Sequence, residues 1–204
     1  MSVDAYLAFE EQSAIKHEFI AGEVYAMAGV TFRHGRIALN IARHLHTAAH
    51  ARACAIVLSE VKLRAGPDRI YYPDLILACG RATDVELIVD EPSLIAEVTS
   101  PSTRATDRRE KLDAYLNIPS LRSYLIVEQR RRHVLCYTRG ANGEWSREEV
   151  QGDGDIALPF LDARITVDQI YEDVNLPPLT VKEDAEWNET WDDGEWDDED
   201  PNQG

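Results

Sequence analysis

Cysteine is scarce in this 204-residue chain, which has three, at positions 54, 79 and 136. An odd number of widely spaced cysteines, each set in apolar strand-like text, argues against a disulfide framework or a zinc site. It predicts buried thiols in a reducing compartment. Long apolar runs are also missing. No stretch approaches the roughly 20 residues that a bilayer-spanning helix needs, so no membrane role is expected. The opening MSVDAYLAFEEQ is acidic and lacks the apolar core of a signal peptide, so the expected location is cytoplasmic. Basic charge is short as well, with 21 Lys and Arg against 37 Asp and Glu, a net charge of −16. A protein that grips nucleic acid through many non-specific phosphate contacts is ordinarily basic. No internal repeat is evident.

The acidity is unevenly spread. Residues 176–204 hold eleven acidic residues and one lysine, a net −10, which leaves −6 for the rest. Trp187, Trp191 and Trp196 are the large apolar groups of that segment. The composition divides the chain into one folded domain, 1–175, and an acidic, Trp-containing tail, 176–204, expected to be disordered. Trp187 and Trp191 stand one helical turn apart, a spacing suited to docking on the body or on a basic partner. At 44% hydrophobic, the chain can bury one substantial core.

What is present centres on Tyr72 to Tyr115. The text YPDLILACG, then PSLIAEVTSPSTRATDRREKLDAY, reads as two apolar strands, each with one carboxylate, followed by a helix bearing a lysine. Glu97 interrupts the apolar run of Leu94, Ile95, Ala96 and Val98. An acid inside such a strand costs several kcal/mol unless something pairs with it. Glu97 lies roughly 10 Å of strand before the Ser100-Pro101 turn, at about 3.3 Å per residue. A helix starting near Thr103 carries Lys111 roughly 12 Å along, at about 1.5 Å per residue. Packed back antiparallel to its strand, that helix brings Lys111 level with Glu97. Asp107, Lys111 and Tyr115 share one face. Asp74 and Glu97 with one ammonium at the same depth make a set suited to a hydrolytic Mg²⁺ site. The carboxylates hold the ion, the ion acidifies a bound water, and the lysine offsets charge on a phosphorane.

Other elements follow in order. Val3 to Glu11 reads as a short amphipathic helix with Ser2 as N-cap. His17 to Ile20 and Glu23 to Met27 form a hairpin around Ala21-Gly22. Glu18 on it is either an exposed strand acid or a carboxylate near the metal. Thr31 to Ala51 is a long helix packing through Ile37, Leu39, Ile41 and Leu45. His34 in its first turn, where the helix dipole disfavours protonation, is either a solvated helix start or a residue that orients or deprotonates the attacking water. His46 and His50 lack a third ligand and read as surface residues. Cys54 to Leu58, Glu60 to Arg64 and Ile70 to Cys79 read as strands, with Glu60 a weak third carboxylate. Ser93 to Thr99 is the central strand and Thr103 to Asn117 the helix packed on it. Ser123 to Glu128 and His133 to Arg139 pair around an arginine-rich tip, and Gly143 to Val150 adds a strand. Asp155 to Leu161 reads as irregular. Thr166 opens a capping-box helix reaching about Asp173.

The PD, the E-V-T-S and the downstream lysine resemble the PD-(D/E)XK nuclease superfamily. More narrowly, the chain resembles the Uma-two-type family of bacterial restriction-endonuclease-like proteins. The matching text is KHEFIAGEVYAMAG (16–29), RHGRIALNIARHL (33–45), YYPDLILACG (71–80), LIAEVTSPSTRATDRREKLDAYLNIPSLRSYLIVE (94–128) and HVLCY (133–137). The residue two after Glu97 is Thr99, not lysine. In this family the next helix supplies that lysine, which points to Lys111.

The resemblance implies an α/β fold with a restriction-endonuclease-like core, a mixed central sheet flanked by helices. The alternation of strands and helices fits that class independently. It also implies a metal-dependent endonuclease acting on DNA. Asp74 and Glu97 are expected to hold Mg²⁺ or Mn²⁺ with the Val98 carbonyl, and Lys111 to act on the developing charge. His34 and Glu18 stand behind them. Arginines at 104, 108, 109 and 130 to 132 are either solvated or in contact with phosphates. A homodimer and a tail that contacts the body or a basic partner remain open. So does a different class of function: a catalytically silent nuclease-fold interaction module whose acidic tail binds a basic partner. The expensive buried acid argues against that second reading.

Overall fold

The computed structural model describes residues 1–80, 87–99 and 104–178, with residues 104–109 as backbone alone. The tail from residue 179 onward and the side chains of Arg104, Asp107, Arg108 and Arg109 lie outside the described residues.

The main sheet has six strands. Their order is β11 (Trp145–Gln151), β10 (His133–Arg139), β9 (Ser123–Glu128), β8 (Leu94–Thr99), β6 (Leu75–Cys79) and β3 (Cys54–Leu58). Strands β8 and β9 run parallel and the other neighbours antiparallel, so the sheet is mixed. A parallel pair needs a crossover, and helix α3 (Arg104–Leu116) supplies it.

Strand β8 lies inside the sheet, and each residue from Leu94 to Val98 is buried. Side chains alternate across a strand, so its two faces enter two different cores. Leu94, Ala96 and Val98 pack with Ile37, Ile41 and Leu45 of helix α2 (Phe32–Ala51). Ile95 packs with Tyr115 and Ile118, and with Tyr124 and Ile126 of β9. By the same period Glu97 falls on the Ile95 face, toward α3. Leu39, expected in the packing stripe, is 56% exposed. It stands two residues from both Ile37 and Ile41, roughly 200° around the helix from each.

A second sheet orders β2 (Glu23–Ala26), β1 (His17–Ile20), β5 (Arg69–Tyr71), β4 (Lys62–Arg64) and β7 (Ile88–Val89). The β1–β2 hairpin turns at Ala21 and Gly22, both at positive φ (49° and 93°). Glycine at the second position removes half of the left-handed cost. Helix α1 (Val3–Glu10), N-capped by Ser2, lays Tyr6 against Phe19 and Ile70. The sequence predicts one strand from Ile70 to Cys79, but the structure divides it. Strand β5 belongs to this second sheet and β6 to the main one, with Tyr72-Pro73-Asp74 as the crossing. Pro73 has no N–H to continue a ladder, so the chain leaves one sheet and enters the other there. Asp74 therefore stands just before its strand, between the two sheets.

Where irregular text was expected, β12 (Asp155–Leu158) and β13 (Ala163–Thr166) form a small antiparallel pair. A 3-10 turn, Pro159–Leu161, and Asp162 at φ 52° join them. The Thr166 capping box is present, with Gln169 completing it, and opens the short helix α4 (Val167–Ile170).

The cysteine expectation is overturned in part. Cys54 and Cys79 form a disulfide, because they sit directly opposite each other in the β3–β6 register. Their separation of 25 residues gives no hint of that pairing. Cys136 is a buried free thiol, and burial pushes its pKa up to about 11.

Candidate active site

Two groups of side chains meet where the sheets join. The first lies between β8, β1 and α3. The Lys111 Nζ is 3.3 Å from Glu97 Oε1 and 2.8 Å from Glu18 Oε1. The Tyr115 hydroxyl donates to Glu97 Oε1 at 2.9 Å. Lys111 and Tyr115 are four apart on α3, so one helix face delivers both. The Tyr71 ring lies 5.6 Å from the Lys111 ammonium. The sequence geometry that sets Lys111 level with Glu97 is thus met, and Glu18, from the first hairpin, joins the same ion-pair cluster.

Glu97 is 8% exposed. Burial is the main reason its carboxyl is pushed up to about 7. Lys111 pulls it down, the charges of Asp74 and Glu18 push it up, and the Tyr115 hydrogen bond lowers it. At neutral pH this carboxyl is poised between its two protonation states.

The second group is built on Asp74. Its Oδ1 is 2.7 Å from His34 Nε2, and its Oδ2 accepts the Val98 N–H at 2.7 Å. His34 sits in the first turn of α2, which Thr31 caps by accepting the His34 N–H. Thr31 also donates to Gln129 Oε1 at 2.9 Å, tying the helix start to the end of β9. The β6–β8 register pairs Leu75 with Ala96. Continued by one step, it sets Asp74 opposite Glu97 on one face of the sheet. A strand residue projects its N–H and C=O to the same side. The Val98 carbonyl therefore lies on the edge that faces Asp74.

Asp74, Glu97, Lys111, His34, Glu18 and Val98 thus converge. Glu60 does not; its side chain is 80% exposed and pairs with Lys16. His46 and His50 stack on each other along α2, away from these residues in the chain. Sequence reasoning missed the Tyr115 hydroxyl as a partner of Glu97. Its spacing from Lys111 was the available signal. A cleft of about 670 Å³ is lined by Arg64, Arg69, Asp90 and Glu110 among others, but by none of the converging residues. Its arginines are already paired with Asp90 and Glu110, each at 3.0 Å.

Among the described residues no group of three or more His, Cys, Asp and Glu side chains forms a ready metal cage. The oxygen donors that converge are three carboxylates, those of Asp74, Glu97 and Glu18, and one backbone carbonyl. That all-oxygen set, completed by water, is the kind a small hard cation takes.

Comparison with known proteins places this architecture. The family model for Uma2, described as "Putative restriction endonuclease", matches residues 3–168. The chain belongs to the Uma2 family. Two relatives come from Synechocystis sp. (strain ATCC 27184 / PCC 6803 / Kazusa). "Uncharacterized protein sll1609" is 34% identical over 161 residues, covering 76% of this chain and 91% of the relative. "Uncharacterized protein slr1290" is 30% identical over 173 residues, covering 84% and 91%. A crystal structure titled as a putative nuclease belonging to DUF820, from Anabaena variabilis ATCC 29413, matches with a TM-score of 0.70. It is 15% identical, over 84% of this chain and 97% of that one. At that identity it shows the shared fold. The Uma2 assignment places the chain in a restriction-endonuclease-like family, and the structural match shows the shared fold.

Proposed function

We propose that this Uma2 protein is an endonuclease that hydrolyses phosphodiester bonds in DNA with Mg²⁺ or Mn²⁺. The observation that carries the reading is the burial of Glu97, which faces Lys111 and Tyr115 and lies near enough to Asp74 to feel its charge. A fold gains nothing in stability from that arrangement.

In this reading Asp74, Glu97 and the Val98 carbonyl hold the ion. The ion supplies an acidified water and a counter-charge for the phosphoryl oxygens. Lys111 lies beside the scissile phosphate and offsets the negative charge that grows as water attacks phosphorus and the bond to the leaving sugar oxygen breaks. Tyr115 fixes the Glu97 carboxylate from behind. His34 fixes the Asp74 rotamer through Nε2, which favours an orienting role over that of a base. Glu18 holds the Lys111 ammonium in place. The disfavoured ionisation of Glu97 is itself a reason to bind a cation, because the ion removes the repulsion among Asp74, Glu97 and Glu18.

Calorimetry with Mn²⁺ on the wild type and on Asp74→Ala tests the metal assignment. The expected result is saturable binding by wild type, weakened at least about 10-fold in the variant. Equal affinity in the two proteins removes Asp74 from the metal site.

A further inference from the structure

Glu10 ends helix α1 and takes no part in the cluster described above. Its side chain is 3% exposed, yet one carboxylate serves three contacts. Oε1 accepts the backbone N–H of His17 and the hydroxyl of Tyr72, both at 2.9 Å. Oε2 lies 3.0 Å from His17 Nδ1. Burying a carboxylate costs several kcal/mol unless its oxygens are well bonded. Docking α1 does not require one, because Tyr6 on Phe19 and Ile70 already provides an apolar contact.

The register shows what Glu10 joins. Strand β1 pairs Phe19 with Ile70 and Ile20 with Arg69. Continued, the same register sets Glu18 opposite Tyr71 and His17 opposite Tyr72. The ladder stops short of those pairs, since Pro73 offers no N–H and the chain turns away toward β6. Glu10 closes this open end by bonding to His17 and Tyr72 at once. Two further contacts restrain the same spot. The Tyr6 hydroxyl donates to the His17 carbonyl at 2.6 Å, and the ammoniums of Lys16 and Lys62 lie 5.6 and 5.4 Å from the centre of the Tyr72 ring. Glu18 is the residue after His17, and Asp74 is the second residue after Tyr72.

We propose that Glu10 is a positioning residue. By pinning the end of the β1–β5 ladder it sets where Glu18 stands against Lys111 and where Asp74 stands against Val98. Its catalytic consequence rests on the nuclease reading, but its structural consequence does not. A displacement of about 1 Å of a reacting group costs up to about 100-fold in rate, and loss of outer hydrogen-bond partners costs about 10- to 100-fold.

The test has two arms on the full chain. In the first, the amide proton of Val98, which bonds to Asp74, is followed by NMR in Glu10→Ala, Tyr72→Phe, Glu10→Gln and Leu7→Ala. Glutamine keeps an acceptor for His17 and Tyr72 at the Oε1 position. Leu7→Ala loosens the packing of α1 on Tyr6, Phe19 and Ile70 and removes none of the Glu10 hydrogen bonds. The Val98 resonance is expected to move in Glu10→Ala and Tyr72→Phe and to stay in Glu10→Gln and Leu7→Ala. An unmoved Val98 in Glu10→Ala, or an equal shift in Leu7→Ala, overturns the proposal.

The second arm is cleavage. Glu10→Ala is expected to lose about 10- to 100-fold in kcat with little change in KM, and Glu10→Gln to recover most of it. Parallel losses in both, or a loss confined to KM, also overturn it. If no protein in the set cleaves DNA, the nuclease reading fails while the Val98 arm still decides the role of Glu10.

Discussion

Glu97→Gln is expected to lose DNA cleavage and to gain stability at the same time. A metal ligand's contribution is worth several kcal/mol of transition-state stabilisation, on the order of 10³-fold in rate. The gain in stability comes from Glu97 itself, whose carboxyl is raised from 4.5 to about 7, chiefly by burial. A group raised in the folded state contributes stability that is complete below its unfolded value and is lost as pH rises through the folded one. At pH 8 the wild type therefore carries a cost of up to roughly 3 kcal/mol that a neutral glutamine avoids. Near pH 4 both side chains are uncharged and the difference closes. Lys111 keeps Glu18 at 2.8 Å, so the substitution does not strand its ammonium. Thermal midpoints at pH 4, 6 and 8 are expected to show a growing advantage for Glu97→Gln, of about 2–4 °C per kcal/mol. An advantage that shrinks with rising pH contradicts the assignment of Glu97 as a strained buried acid.

Lys111→Ala is expected to lose activity with the opposite sign in stability. The lysine side chain is 12% exposed and faces two carboxylates. Removing one partner of a buried pair costs about 3–5 kcal/mol. Glu97 limits the loss by holding its proton to higher pH, since Lys111 was pulling its pKa down. The deficit therefore grows from pH 5 to pH 8. Turnover is expected to fall about 10²- to 10³-fold, the scale for removing a group aimed at transition-state charge. Mn²⁺ affinity changes far less than in Asp74→Ala, because Lys111 acts on the phosphate and not on the ion. Wild-type turnover in Lys111→Ala, or unchanged stability at pH 8, reduces it to a packing residue.

The parts of this fold legible in the sequence were those written in one local period. The 3.6-residue stripe of α2, the apolar run of β8 and the capping box at Thr166 each depend on neighbours within a few positions, and each appears with boundaries within a few residues. Lys111 opposite Glu97 was also legible, because strand and helix rises alone set their relative depth. What failed depends on pairing across long separations. The break at Pro73 looked like strand text on both sides, since a strand entering a second sheet keeps the same apolar composition. The Cys54–Cys79 bridge follows from the β3–β6 register, and no local pattern encodes register between antiparallel strands 25 residues apart. Glu18 was legible only as an alternative for the same reason, since its neighbours give no sign of Lys111. Glu10 carried no signal at all, because an acid at the end of a short amphipathic helix reads as an ordinary solvated residue.

The most direct measurement is cleavage of end-labelled single-stranded, duplex and branched DNA by the full-length protein with Mg²⁺ or Mn²⁺. It is run beside an identically purified Asp74→Ala/Glu97→Gln double variant and a chelator control. The account predicts internal cuts in at least one substrate that require the ion and are absent with the double variant. Equal cutting by the double variant, or no cutting of any substrate with either ion, contradicts it.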